Sequence, residues 1–145
     1  MGEPLSEALV GTWELASRHT QPGPGGSVTP LPDDVLALVV YDGGGNFAAQ
    51  FMRPDPGGEP AAAVSAGSNN TRSVAGYDAY FGRYTVDDQA NTVTQTLVGS
   101  LARENVGQVL TRSMAVEGDT LTIRVDTSDD DGNPLVLTLN WNRVG

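Results

Sequence analysis

Tyr77-Asp78-Ala79-Tyr80-Phe81-Gly82-Arg83-Tyr84-Thr85-Val86, then Asp87-Asp88, then Thr92-Val93-Thr94-Gln95-Thr96-Leu97-Val98-Gly99-Ser100 is the stretch that decides the fold. Both runs are rich in aromatic and β-branched residues, the mark of strands packed on one face. The acidic pair between them ends the first run, so the spacing predicts two strands joined by a short connection. The same reading extends in both directions. Upstream lie Gly11 to His19, Val35 to Tyr41 and Phe47 to Arg53. Downstream lie Gln108 to Val116, Thr120 to Asp126 and Leu135 to Val144. Gly, Pro, Asp and Asn punctuate them, as in Asp42-Gly43-Gly44-Gly45-Asn46 and Glu117-Gly118-Asp119. Eight antiparallel strands within 145 residues suit one all-β domain over residues 1–145. The expected architecture is an eight-stranded antiparallel up-and-down barrel, whose closure removes exposed sheet edges.

Two segments depart from the strand pattern. Ser6 to Val10 fits a short helical turn leading into the first strand. Pro54 to Ala75 is small, polar and Gly-rich, and connections of this length are commonly binding loops or lids. A lid over one end of the barrel and a passive insertion are both open for it.

Composition removes whole classes of chemistry. There is no Cys, so disulfides, thiolate nucleophiles and zinc–sulfur sites are excluded. One His, His19, leaves little for a metal site or a His-based triad, and its place beside a Gly/Pro loop suits a solvated residue. All eight basic residues are Arg, against 18 acidic ones, for a net charge of −10. Phosphate backbones and anionic membranes are repelled by such a chain, so neither nucleic acid nor membrane is expected as a partner. No apolar run is long enough to span a bilayer, and nothing near the start reads as a signal peptide, so a cytoplasmic location is expected. Met1-Gly2 with Ser6 meets the myristoylation pattern only weakly. Asp129-Asp130-Asp131-Gly132-Asn133 lacks the spacing and closing Glu of a calcium loop and reads as a solvated turn. The Gly clusters precede no helix and no Lys, so they form no phosphate cradle. No metal and no cofactor is expected.

Gly11-Thr12-Trp13 opens the first strand and Trp141-Asn142-Arg143 closes the last. Together they resemble the calycin pattern, which implies Trp13 and Arg143 as a structural plug at one end of the barrel. Phe51-Met52-Arg53-Pro54-Asp55, Ala79-Tyr80-Phe81-Gly82-Arg83-Tyr84-Thr85-Val86-Asp87, Thr92-Val93-Thr94 and Glu117-Gly118-Asp119-Thr120-Leu121-Thr122 follow in order. This ordered set resembles the bacterial lipocalin-like domain family across nearly the whole chain. The resemblance implies a central pocket for a small, largely apolar molecule. Several lipocalin-like proteins of this size act in natural-product pathways as cofactor-free cyclases, so a cyclase of cycloaddition type acting on a polyketide or polyene is the activity implied. The family commonly carries a His pair after the Val-Thr of the fifth strand, where this chain has Gln95 and Thr96. Gln cannot exchange protons near neutral pH, so no proton shuttle carries over to that position.

Alternation along strands selects the inner face. Leu110, Arg112, Met114 and Val116 share one, as do Tyr80, Tyr84 and Val86, which Gly82 is expected to leave locally open. Val93, Gln95 and Leu97 form another; Leu121, Ile123 and Val125, and Leu137, Leu139 and Trp141, complete the wall. Candidate catalytic groups are Tyr80, Gln95 and Arg112, which can hydrogen-bond a carbonyl as charge develops on it. Candidate substrate contacts are Tyr41, Met52, Tyr84, Leu97, Leu110, Met114, Ile123, Leu139 and Trp141. Core aromatics with satisfied hydroxyls, and an Arg112 salt bridge at the rim, are the structural alternatives. The expected partners are a small hydrophobic substrate and at most a second copy of the chain as a homodimer. A non-catalytic carrier, or a Tyr- or Arg-assisted isomerase or hydratase, stands beside the cyclase.

Overall fold

The computed structural model describes residues 3–22, 26–31, 35–52, 71, 77–128 and 131–145. The chain begins with a one-turn helix, α1 (Leu5–Ala8), and continues as strands β1 (Gly11–Gln21), β2 (Thr29–Pro30), β3 (Leu36–Tyr41) and β4 (Asn46–Met52). Then come β5 (Tyr77–Asp87), β6 (Thr92–Ser100), β7 (Val109–Glu117), β8 (Thr120–Ser128) and β9 (Pro134–Arg143). Every pairing is antiparallel, each strand from β3 to β9 beside the next, and β1 pairs with both β3 and β9. That last pairing closes an eight-stranded up-and-down barrel. The two-residue β2 only extends the far end of β1, through His19 and Thr20. It is an element that the sequence pattern does not announce, and so is the 3-10 turn Arg103–Asn105 between β6 and β7.

The register sorts the connections into two ends. The turns at 42–45, 88–91 and 118–119 lie at the same end as Trp13 and Arg143. The connections leading into β3, β5, β7 and β9 lie at the other. The stretch 54–75, for which a lid and a passive insertion are both open, lies outside the described residues apart from Thr71. So do Asp129 and Asp130 of the acidic turn.

The end that carries Trp13 and Arg143 is covered by α1 and the plug. Leu5 and Leu9 are buried beneath it, and Ser6 holds it down by donating from its backbone N–H and hydroxyl to the Asp88 carboxylate at 2.8 and 2.7 Å. The Trp13 indole N–H donates to the Leu9 carbonyl at 3.0 Å. The Arg143 guanidinium lies over the Trp13 ring, 4.2 Å from its centroid, and donates to the carbonyls of Ala8 at 2.8 Å and Val10 at 3.0 Å. A cation on an indole face, with its N–H groups satisfied by backbone, is a favourable way to finish an apolar barrel. The same contact explains the glycine of Gly11-Thr12-Trp13. Gly11 has φ +147°, and a Cβ there would fall 2.5 Å from Arg143 Nη1.

Two irregularities set which side chains face inward. In β1 the pairing with β9 slips between Leu15 and Ser17, so Arg18 lies opposite the buried Leu139 and Thr20 opposite Leu137. Partners in register share a face, so Arg18 belongs to the inner side and His19 to the outer. The second slip lies between Phe81 and Gly82 in the β5–β6 pair. Here one expectation is corrected. Gly82 does not open the inner face: a Cβ at this position would sit 1.9 Å from the Thr96 carbonyl oxygen. Glycine is present because the β6 backbone already fills that space.

Candidate functional site

The interior is built by alternation, and most inward residues selected from sequence are buried. Tyr41, Tyr80, Tyr84, Leu97, Leu110, Met114, Ile123, Leu139 and Trp141 all belong to one core cluster. Gln95 and Arg112 are buried with them, at 3% and 4% exposure. Met52 is the exception, 37% exposed at the end of β4. The inner face of β4 carries Phe47, Ala49 and Phe51, so Phe51 takes the place assigned to Met52.

An aromatic wall follows from this register. Phe47 lies between Tyr41 and Tyr80, with ring centroids 6.0 Å from each. The Tyr41 and Tyr84 rings meet edge to face at 5.0 Å. Phe51 stacks on Tyr80 at 6.5 Å and meets Trp141 of β9 edge to face at 5.9 Å. That contact spans the barrel and brings β9 to the β4–β5 wall.

Polar groups are set into this wall at few points. The Tyr41 hydroxyl donates to Gln95 Oε1 at 2.6 Å, a pair drawn from opposite halves of the chain. Burial pushes the Tyr41 phenol well above its ordinary pKa, and pushes Tyr80 up to about 12, so both are neutral donors at physiological pH. The Tyr84 hydroxyl reaches the Asp42 carbonyl, which makes Tyr84 an anchor for the 42–45 turn as well as a wall residue. Burial pulls Arg112 below the usual guanidinium range, an effect that Tyr80, Tyr41 and Asp78 oppose. Such a group stays protonated at neutral pH. Arg112 therefore places a positive charge within an apolar barrel, beside Tyr80 and Tyr41.

Asp78 is the residue that sequence reading passed over. It lies opposite Phe51 in the register and two residues before Tyr80, on the same face. Its Oδ2 accepts a hydrogen bond from the Thr71 hydroxyl. Its Oδ1 is buried with no hydrogen-bond partner among the described residues. Burial pushes its carboxyl up to about 6, with Thr71 and Arg112 working the other way. The alternation that selected Tyr80 and Tyr84 also selects Asp78. The same orphaned state holds for the indole N–H of Trp141, in a residue 1% exposed. Buried polar groups normally find partners, so two orphans on the inner face of one barrel are informative. Among the described residues no cluster of His, Cys, Asp and Glu could hold a metal ion.

A closed antiparallel barrel, plugged at one end by a helix and an Arg–Trp pair and lined by aromatics with sparse polar groups, defines a small lipocalin-like protein. The chain belongs to the family described as the lipocalin-like domain, whose profile matches residues 10–144. Among solved structures it is similar to Rv2717c from M. tuberculosis, at 15% identity and a TM-score of 0.41, covering 100% of this chain and 99% of that one. No curated protein matches it. No helix among the described residues is long and apolar enough to cross a membrane.

Proposed function

We propose that the barrel interior holds one small, largely apolar molecule that carries an oxygen function. The observation behind this reading is the pairing of an aromatic wall with polar groups that lack partners, Asp78 Oδ1 and the Trp141 N–H. Apolar walls supply affinity and a few fixed polar groups orient the guest. A stability role alone does not call for this arrangement, because an unpartnered buried polar group costs about 1–3 kcal/mol. The test is a titration with a linear polyene ketone, followed by quenching of tryptophan fluorescence. Saturable one-to-one binding is the expected result; its absence refutes the reading.

A second reading adds chemistry, and the buried Arg112 beside Tyr80 favours it. A cycloaddition converts two π bonds into two σ bonds with no atom lost and no cofactor required. Folding a polyene so that its reacting ends meet supplies effective molarity. A fixed guanidinium and neutral phenols near a ligand carbonyl stabilise charge that grows there during ring closure. Incubation of a linear polyene lactone with the protein should then give cyclised product faster than background. Tight binding with no acceleration assigns the barrel to carriage of its guest, and catalysis that disappears in Tyr80→Phe together with a pH-dependent rate assigns it to acid-assisted isomerisation or hydration.

A further inference from the structure

Resting on the binding reading above, we infer that Asp78 and Trp141 form a donor–acceptor recognition point for a neutral hydroxy-carbonyl compound. Three observations carry this. First, the two unpartnered groups are complementary: Asp78 Oδ1 can only accept while the carboxylate is ionised, and the Trp141 indole N–H can only donate. A guest that satisfies both must bring one donor, a hydroxyl or N–H, and one acceptor, a carbonyl oxygen. Second, Phe51 links them. Its ring meets Trp141 at 5.9 Å, and its backbone is in register with Asp78. Phe51 therefore neighbours both residues, and its ring offers the apolar part of the guest a surface beside them. Third, charge argues for neutrality. The Asp78 carboxylate and the Arg112 guanidinium act on each other, and each offsets the other's field. A free acid could pair with Arg112 only while repelled by Asp78, and an amine with Asp78 only while repelled by Arg112, whereas a neutral guest meets neither penalty.

The other indole provides an internal contrast. Trp13 already donates to the Leu9 carbonyl, so its N–H has no need of a guest. The two tryptophans of the chain thus report two different states in one spectrum.

The experiment uses the full chain labelled with 15N and four nine-carbon probes: 4-hydroxynonan-2-one, nonan-2-one, nonan-4-ol and nonane. Each is titrated into the wild type, Trp141→Phe and Asp78→Leu. Trp141→Phe should weaken both ketone-bearing probes by about tenfold more than nonan-4-ol. Asp78→Leu should weaken both hydroxyl-bearing probes by a similar factor relative to nonan-2-one. In the wild type, either ketone should move the Trp141 indole N–H resonance downfield while the Trp13 resonance stays in place. This readout does not depend on either variant folding. Equal loss for all four probes, no loss for any, or a Trp141 resonance indifferent to the ketones overturns the recognition point and leaves the binding reading intact. Failure of every probe to bind the wild type refutes the binding reading itself.

Discussion

Replacing Arg143 by Met is the sharpest perturbation of the plug. The side chain lies 4.2 Å from the Trp13 ring centroid and donates to two carbonyls, at 2.8 and 3.0 Å. A partly desolvated cation–π contact is worth about 1–2 kcal/mol, and each hydrogen bond from a charged donor about 1.5–3 kcal/mol. The 3.5 Å ion pair with Asp119 adds little, because Asp119 is exposed. These terms share one side chain and are not additive, so the expected loss is about 4 kcal/mol. For a chain of this size that corresponds to roughly 12–16 °C in the thermal midpoint. Met keeps the length and apolar stem, so the change isolates the guanidinium. Arg143→Lys should recover about half, since an ammonium keeps the charge but cannot serve both carbonyls from one planar fork. Urea denaturation of the three proteins at one pH gives the numbers directly. A loss below about 1 kcal/mol for Arg143→Met, or full stability for Arg143→Lys, refutes the reasoning.

Further outcomes follow from the interior. Asp78 has its folded-state carboxyl raised to about 6 from an ordinary 3.8, so its contribution is fully present below about pH 3.8 and is lost as pH rises through about 6. Asp78→Asn should therefore be more stable than wild type above pH 7, by up to about 3 kcal/mol, and should lose that advantage at pH 4; denaturation curves across pH measure it. Tyr41→Phe strands the Gln95 amide oxygen and should cost about 1–3 kcal/mol, while Tyr41→Phe with Gln95→Leu should recover much of the loss in the same assay. Gly82→Ala drives a methyl to 1.9 Å from the Thr96 carbonyl, so a loss of order 3 kcal/mol or failure to fold is expected, read by circular dichroism and melting.

The barrel was legible because alternation is a strong signal wherever one sheet face is buried. The runs at 77–86, 92–100 and 120–126 fall within strands, and their inner faces are those that parity selects. The plug was legible through the resemblance carried by Gly11-Thr12-Trp13 and Arg143. Other features depend on facts that no single run contains. Arg18 turns inward only because β1 carries an extra residue opposite β9, and a bulge inverts parity for everything beyond it. Gly82 read as an opening, because a missing side chain and a close backbone approach look the same in sequence. Met52 ends a strand with apolar residues on both faces, and counting from Phe47 selects Phe51 for the inner one. Asp78 was within reach of the alternation rule, which sets it on the face of Tyr80 and Tyr84. The orphaned Trp141 N–H could not be read at all, since satisfaction depends on neighbours that only the fold supplies.

The central claim is that the interior is a compartment for a guest, and filling it tests this most directly. Ala49 is buried on the inner face of β4, between Phe47 and Phe51 and opposite Tyr80. Nonan-2-one should bind the wild type saturably, with amide shifts centred on Leu97, Leu110, Ile123 and Leu139. A folded Ala49→Phe protein should lose that binding. Unchanged binding in folded Ala49→Phe, or wild-type shifts confined to outward-facing residues, would contradict the account.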